Sequence, residues 1–174
     1  MEIEVWRPAR PDHYTLGRVS PITMAVIHAT AGRDSLAWLR STSNPPVSCH
    51  VLIPKDGTRL RIVNDWDTAW HCGRSTYIAR GACKANPNSI SLGLELENLN
   101  DGKDPYPAAQ FDAAAFQIAT WLFAYPHLRV YKHSDIDSAK SDPAGLDIAR
   151  LCRRAHTYLS RMYIGGAATV SGGT

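Results

Sequence analysis

Between residues 90 and 97 apolar and polar side chains alternate without a break: Ile90, Leu92, Leu94 and Leu96 are separated by Ser91, Gly93, Glu95 and Glu97. A repeat of two belongs to an extended strand, because successive side chains leave opposite faces of the pleat. One face must enter an apolar core, and the other carries two carboxylates away from it. A chain with this segment is committed to a sheet covered on one side and chemically equipped on the other.

The neighbouring segments supply the rest of such a sheet. The run Thr23-Met24-Ala25-Val26-Ile27 reads as a buried strand that stops at His28-Ala29-Thr30-Ala31-Gly32. Val47, Cys49, Val51 and Ile53 alternate with Ser48, His50 and Leu52, and Lys55-Asp56-Gly57-Thr58 is a hairpin turn leading to a return strand over Arg59 to Val63. Leu128 to Lys132 is a short strand that ends at His133. Helices are predicted from Asp34 as cap through Leu36, Trp38 and Leu39, from Pro107 to Pro126 with the stripe Phe111, Ala115, Ile118, Ala119 and Leu122, and from Pro143 or Gly145 through Met162. Residues 64–88 lack a sustained period and form a long loop, of the kind that is usually functional in a compact domain. Strands interleaved with helices give an α/β domain, and the hairpin makes its central sheet mixed.

A chain of 174 residues corresponds to about one domain. The expected division is an N-terminal arm over residues 1–20, a catalytic domain over 21–164 and a flexible, small and polar tail over 165–174. With 44% hydrophobic and 20% charged residues the composition excludes a disordered or fibrous chain. Nineteen basic against sixteen acidic residues, with no basic run, fall short of a nucleic-acid footprint. There is no apolar stretch fit to anchor the chain, and acids stand near the start where an export signal carries bases. The four cysteines, 49, 72, 83 and 152, show no metal-type spacing and are expected to be mostly reduced, with a Cys72–Cys83 bridge as the alternative.

His28 and His133 both fall at strand ends, where ligands bind in α/β folds, and Asp142 follows in Lys140-Ser141-Asp142-Pro143. Two imidazoles and a carboxylate with one open position are the ligand set of a catalytic zinc. The same residue types also serve as surface groups, and an aspartate before proline makes a good helix cap.

The stretches Ala25 to Gly32, Ser48 to Gly57, Ala69-Trp70-His71-Cys72-Gly73, Ser91 to Asn98 and His133 to Ile136 followed by Lys140 to Pro143 together resemble the zinc-dependent N-acetylmuramoyl-L-alanine amidases, a family that includes amidase-type phage endolysins and peptidoglycan recognition proteins. The match runs in order from about residue 22 to 160. The resemblance implies one Zn2+ held by His28, His133 and Asp142, with Glu95 as acid/base group and Lys140 beside the reacting carbonyl. An aspartate at 142 is similar to the intracellular muropeptide-recycling branch, where other members carry cysteine. Cys49 stands where the phage branch has a catalytic tyrosine, which leaves Glu95 as the general base.

Three further residues are candidates for contact with substrate. Trp70 and His71 in the long loop suit a sugar or peptide platform, and His50 shares a strand face with Ser48. For His50 a hydrogen-bonded structural role stands as the equal alternative, and Glu97 is expected to support Glu95 or face solvent.

The resemblance implies hydrolysis of the amide between N-acetylmuramic acid and L-alanine. An endolysin, cytoplasmic until lysis and then acting on the wall, is the expected role, because the segment between His28 and Ser48 is short. The alternatives are a cytosolic enzyme recycling anhydro-muropeptides, a non-catalytic peptidoglycan-binding module, and an interaction domain without metal. The partner is peptidoglycan or muropeptide, with no nucleic acid and no membrane anchor, and a monomer is expected.

Overall fold

The computed structural model describes residues 4–42, 45–73 and 86–170, with side chains to residue 164. In chain order its strands are β1 (Glu4–Trp6), β2 (Tyr14–Thr15), β3 (Met24–Ala29), β4 (Val51–Ile53), β5 (Arg59–Arg61), β6 (Thr68–Ala69), β7 (Ser91–Leu96) and β8 (Arg129–Lys132). Its α-helices are α1 (Ser35–Leu39), α2 (Pro87–Ile90), α3 (Ala108–Ala124), α4 (His133–Ile136) and α5 (Ile148–Val170). Six strands form one sheet in the order β1-β5-β4-β7-β3-β8. Every neighbouring pair is parallel except β4 and β5, the expected hairpin, so the sheet is mixed. The fold is thus a single α/β domain with a central mixed sheet flanked by helices.

The hairpin turns at Gly57, which has φ +85°, a conformation open to glycine without strain. Asp56 secures the turn by accepting a hydrogen bond from the Thr58 amide at 2.8 Å. A side chain at Gly57 would also have no room, since its Cβ would stand 2.7 Å from the carbonyl oxygen of Ala109 in the first turn of α3.

The alternation that opened the sequence decides what each face does. Ala25 and Ile27 of β3, Val51 and Ile53 of β4, and Leu92, Leu94 and Leu96 of β7 all enter one core with Ile118, Trp121 and Leu122 of α3 and Leu151 and Ala155 of α5. Each large aliphatic side chain buried here contributes about 1.5–3 kcal/mol. Ala113, Ala114 and Ala115 are fully buried, as small residues must be where a helix lies between a sheet and a second helix. Gln110 donates from Nε2 to the carbonyl oxygens of Ile53 at 2.8 Å and Glu97 at 3.0 Å, tying α3 across the carboxyl ends of β4 and β7. On the opposite face Met24 and Val26 pack into a smaller buried cluster with Cys72 and Ile136, and His28 and Glu95 lie beyond it toward the carboxyl ends of their strands.

Three expectations need revision. The first twenty residues are more than an overlaid arm: Glu4–Trp6 extends the sheet as an edge strand on β5, and Tyr14–Thr15 pairs antiparallel with Thr68–Ala69. Asp34 stands before α1 with φ +54° and makes no capping bond from its side chain; the Ser35 amide donates instead to Glu97 Oε2 at 3.3 Å. The last helix continues to Val170, through Gly165 and Gly166, because no proline stops it and a glycine in a long helix costs only about 1 kcal/mol relative to alanine. Cys49, Cys72 and Cys152 carry free thiols, while Cys83, and the bridge expected of it, lies outside the described residues. Among the described residues no helix is long and apolar enough to cross a membrane.

Candidate metal centre and cleft

Strand register brings the first two groups together. β3 and β7 run parallel with His28 opposite Glu95, and both side chains leave the sheet on the face away from α3 and α5. Adjacent strands lie about 4.8 Å apart, so these two side chains are neighbours as soon as the sheet forms. His133 arrives from the other side of β3: β8 pairs with it up to Ile27 and Lys132, and His133 opens α4 at once. The Lys132 amide donates to Asp135 Oδ2 at 2.9 Å, closing that first turn.

Asp142 is delivered by a loop braced on two sides. The Ser134 amide donates to the Asp142 carbonyl oxygen at 3.0 Å, and the Lys140 amide to that of Asp137 at 3.0 Å. From the loop after β7, Asn100 accepts from the Ala144 amide at 2.7 Å and donates to Ser141 Oγ at 3.1 Å. The Tyr106 hydroxyl adds a bond to the Ala144 carbonyl at 3.1 Å.

These pieces converge on a triangle. His28 Nδ1, His133 Nδ1 and Asp142 Oδ2 lie 3.1 Å from one another along all three edges. Zinc bound tetrahedrally to nitrogen and oxygen at roughly 2.0–2.2 Å needs ligand atoms about 3.3–3.5 Å apart, so the three donors fit it with only a slight opening. Both histidines are buried, and Asp142 does not serve as a helix cap. Burial pushes the Asp142 carboxyl up, but hydrogen bonds from His133 and His28 outweigh it and hold the group well below the usual carboxylate range. Burial lowers the His28 imidazole against the pull of Asp142, which favours the neutral ring that a metal requires.

Glu95 stands beside the triangle in a different state. Its Oε2 is buried with no hydrogen-bond partner among the described residues. Burial, followed by repulsion from Asp142, pushes its carboxyl up to about 8. An unsatisfied carboxylate oxygen aimed at a polar cleft suits a group that holds a water or a substrate proton. His28, His133, Asp142, Glu95 and Lys140 all line one cleft of about 240 Å³, together with Thr30, Trp38, Ser48 and Asn100. A larger groove of about 700 Å³ between α3 and α5, lined by Arg150, Arg153 and Arg154, contains none of them.

The three residues expected to meet substrate part company. His50 is fully buried away from the cleft: its Nδ1 accepts from the Gly93 amide at 2.8 Å, and its Nε2 lies 2.7 Å from Arg18 Nη2 and 3.2 Å from the Asp67 carbonyl. This is the structural alternative, whereas Ser48, two residues earlier, does line the cleft. Trp70 is turned to the N-terminal segment, where its indole donates to Thr15 Oγ1 at 3.1 Å, and it does not line the cleft. His71 does reach the cleft floor, 8% exposed, but both its ring nitrogens are engaged inside the protein.

Sequence reasoning missed Trp38 and Asn100. Trp38 is half-exposed on a helix of five residues, so no amphipathic stripe marks it. The signal for Asn100 was its place in Asn98-Leu99-Asn100-Asp101-Gly102, a turn-rich run in which asparagine tolerates the φ of +58° found there. A second group of donors, His28, His71 and Cys72, also lies within metal-binding distance, but it shares His28 with the triangle.

A family model described as N-acetylmuramoyl-L-alanine amidase matches residues 18–145. The 1,6-anhydro-N-acetylmuramyl-L-alanine amidase AmpD of Haemophilus influenzae is 34% identical over 101 residues, covering 56% of this chain and 52% of that protein. The chain therefore spans about half the length of that curated relative. Among solved structures, a selenomethionine derivative of AmpD superposes with a TM-score of 0.73 at 26% identity, over 87% of this chain and 93% of that one. The endolysin N-acetylmuramoyl-L-alanine amidase LysCS of Clostridium intestinale URNW superposes with a TM-score of 0.66 over 90% of this chain and 97% of that one; at 16% identity this is a likeness of fold alone.

Proposed function

Since the chain belongs to the N-acetylmuramoyl-L-alanine amidase family, whose model covers most of its length, we propose that it is a zinc-dependent amidase cutting the bond between the lactyl carbonyl of N-acetylmuramic acid and L-alanine. The observation that carries this reading is the triangle of His28 Nδ1, His133 Nδ1 and Asp142 Oδ2 with 3.1 Å edges, one strand away from Glu95, whose buried Oε2 has no hydrogen-bond partner among the described residues.

His28, His133 and Asp142 would hold the zinc, which supplies Lewis acidity and brings the pKa of water down to about 7. Glu95 takes a proton from the attacking water and passes it to the departing alanine nitrogen, so the C–N bond breaks to give a lactyl carboxylate and a free amino terminus. Its raised pKa suits both halves of that task, because a group titrating near the working pH gives up a proton as readily as it takes one. Lys140 lines the same cleft and offers a positive charge to the oxygen that becomes negative as the carbonyl is attacked.

The substrate we infer is a soluble anhydro-muropeptide. The likeness to AmpD at 34% identity supports it, and so does the aspartate at position 142. The endolysin role rested on a short segment between His28 and Ser48, and the endolysin likeness reaches only the fold. The test offers the zinc-loaded protein a 1,6-anhydro-N-acetylmuramyl peptide and purified sacculi in parallel, with products read by mass spectrometry. Peptides with new L-alanine amino termini are expected from the soluble substrate, abolished by a chelator and restored by zinc. Cleavage of sacculi alone would return the endolysin role, and binding without cleavage of either would return the non-catalytic module.

A further inference from the structure

His71 was expected to meet substrate, yet its ring is wedged behind the metal triangle. The wedge is tight: a Cβ at Gly93 would come within 2.5 Å of His71 Cγ, so the glycine of β7 is what admits the ring. On one side His28 Nε2 lies 2.9 Å from His71 Nδ1, and on the other His71 Nε2 lies 3.1 Å from Ser91 Oγ. Ser91 Oγ in turn bonds the carbonyl oxygen of Pro87.

The direction of every bond in this chain follows from its last member. A carbonyl oxygen only accepts, so Ser91 spends its single hydroxyl hydrogen on Pro87. Its oxygen must then accept from His71 Nε2–H. A neutral ring with its hydrogen on Nε2 has a lone pair on Nδ1, and that lone pair accepts from His28 Nε2–H. The Cys72 thiol, 3.2 Å from the same Nδ1, is likewise a donor facing an acceptor. His28 is left with its Nδ1 lone pair pointing at the place where Asp142 Oδ2 and His133 Nδ1 meet.

We propose that His71 and Ser91 are positioning residues that hold His28 as the Nε2–H tautomer, with Nδ1 prepared to bind the metal. Histidine ligands usually pass their second hydrogen to a carboxylate or a carbonyl, and here the receiver is another imidazole. A neutral acceptor fixes the ring without adding negative charge behind it. The proposal rests on the zinc reading: without the metal the Asp142 carboxylate, 3.1 Å from His28 Nδ1, competes for the ring hydrogen, and with the metal on Nδ1 that hydrogen goes to the His71 side.

The experiment has two arms. In zinc-loaded, 15N-labelled protein at pH 8, two-bond 1H–15N correlation spectra are expected to show His71 protonated on Nε2; His71 protonated on Nδ1 would overturn the proposal. Zinc affinity, read by competition with a chromophoric chelator, is expected to fall about 10- to 100-fold in His71→Leu. In His71→Asn, whose amide oxygen can take the place of Nδ1, most of that affinity is expected to return. Equal loss in both variants would assign the effect to packing and overturn the proposal, as would undiminished affinity in His71→Leu. Failure of the unsubstituted protein to bind zinc would defeat the proposed function and this proposal with it, whereas zinc binding with the wrong His71 tautomer would defeat this proposal alone.

Discussion

Glu95 shows how one carboxyl group can cost stability and supply chemistry. Burial raises its pKa in the folded protein to about 8, above the ordinary value it has unfolded. Folding therefore favours the protonated form: the stabilisation is full below the unfolded pKa and is lost as pH rises through about 8. In Glu95→Gln the cost is absent at every pH. In metal-free protein the melting temperature of the variant, relative to the wild type, is expected to climb between pH 5 and pH 9, as scanning calorimetry would record. The same substitution removes the proton carrier and is expected to lower kcat by about 10²–10⁴-fold while zinc stays bound; a variant with full activity would remove Glu95 from the mechanism. Among single residues, His28 and His133 were legible because both stand at predicted strand ends, while Asp142, in the loop after His133, was fixed as their partner only through the family resemblance. Trp70 was misread because an aromatic in a loop shows its chemistry and not its direction, which is set here by Thr15, 55 positions away.

The elements repeat the lesson at larger spacing. β7 and the hairpin were legible because period-two patterns and an Asp-Gly turn are local signals. The edge strand β1 was not, since its three residues draw their structure from hydrogen bonds to β5 rather than from a pattern of their own. The start of α1 was misread for the same reason: Asp34 makes no capping bond, and the first amide of the helix, Ser35, is met by Glu97 just past β7, far along the chain. Gly57 joins a local requirement to a remote one, its positive φ and the carbonyl of Ala109 beneath it. Gly57→Ala must both strain the turn and push the first turn of α3 off the hairpin. A loss of about 1–3 kcal/mol in urea unfolding is expected, larger than at Gly17, where the positive φ is strained in the same way but a Cβ would meet nothing.

At the scale of the whole molecule Arg18 adds side-chain bonds to the strand pairing that holds the N-terminal segment on the rest of the chain. Arg18 donates from Nε to the Asp65 carbonyl at 2.6 Å and from Nη2 to the Ser91 carbonyl at 2.9 Å, with longer bonds from Nη1 to Asn88 and Ser89. It thus joins the segment before β3 to the loop after β5 and to the entry of β7, the strand that carries Glu95. Arg18→Ala leaves several carbonyls without their donor and is expected to destabilise the protein by about 2–4 kcal/mol. Limited proteolysis should then release the first twenty residues before the rest of the chain is cut; simultaneous loss of both would show that no such joint exists. The function of this segment was invisible in the sequence, where one arginine among prolines carries no signal.

The parallel pairing of β3 with β7 has a final consequence. Were the two strands to slip by one position, Leu94 would stand in the water-facing cleft and Glu95 among the leucines packed on α3. A misfolded register would be inactive and unstable for the same reason, so the leucine packing that fixes the register also fixes where positions 28 and 95 meet on the other side of the sheet.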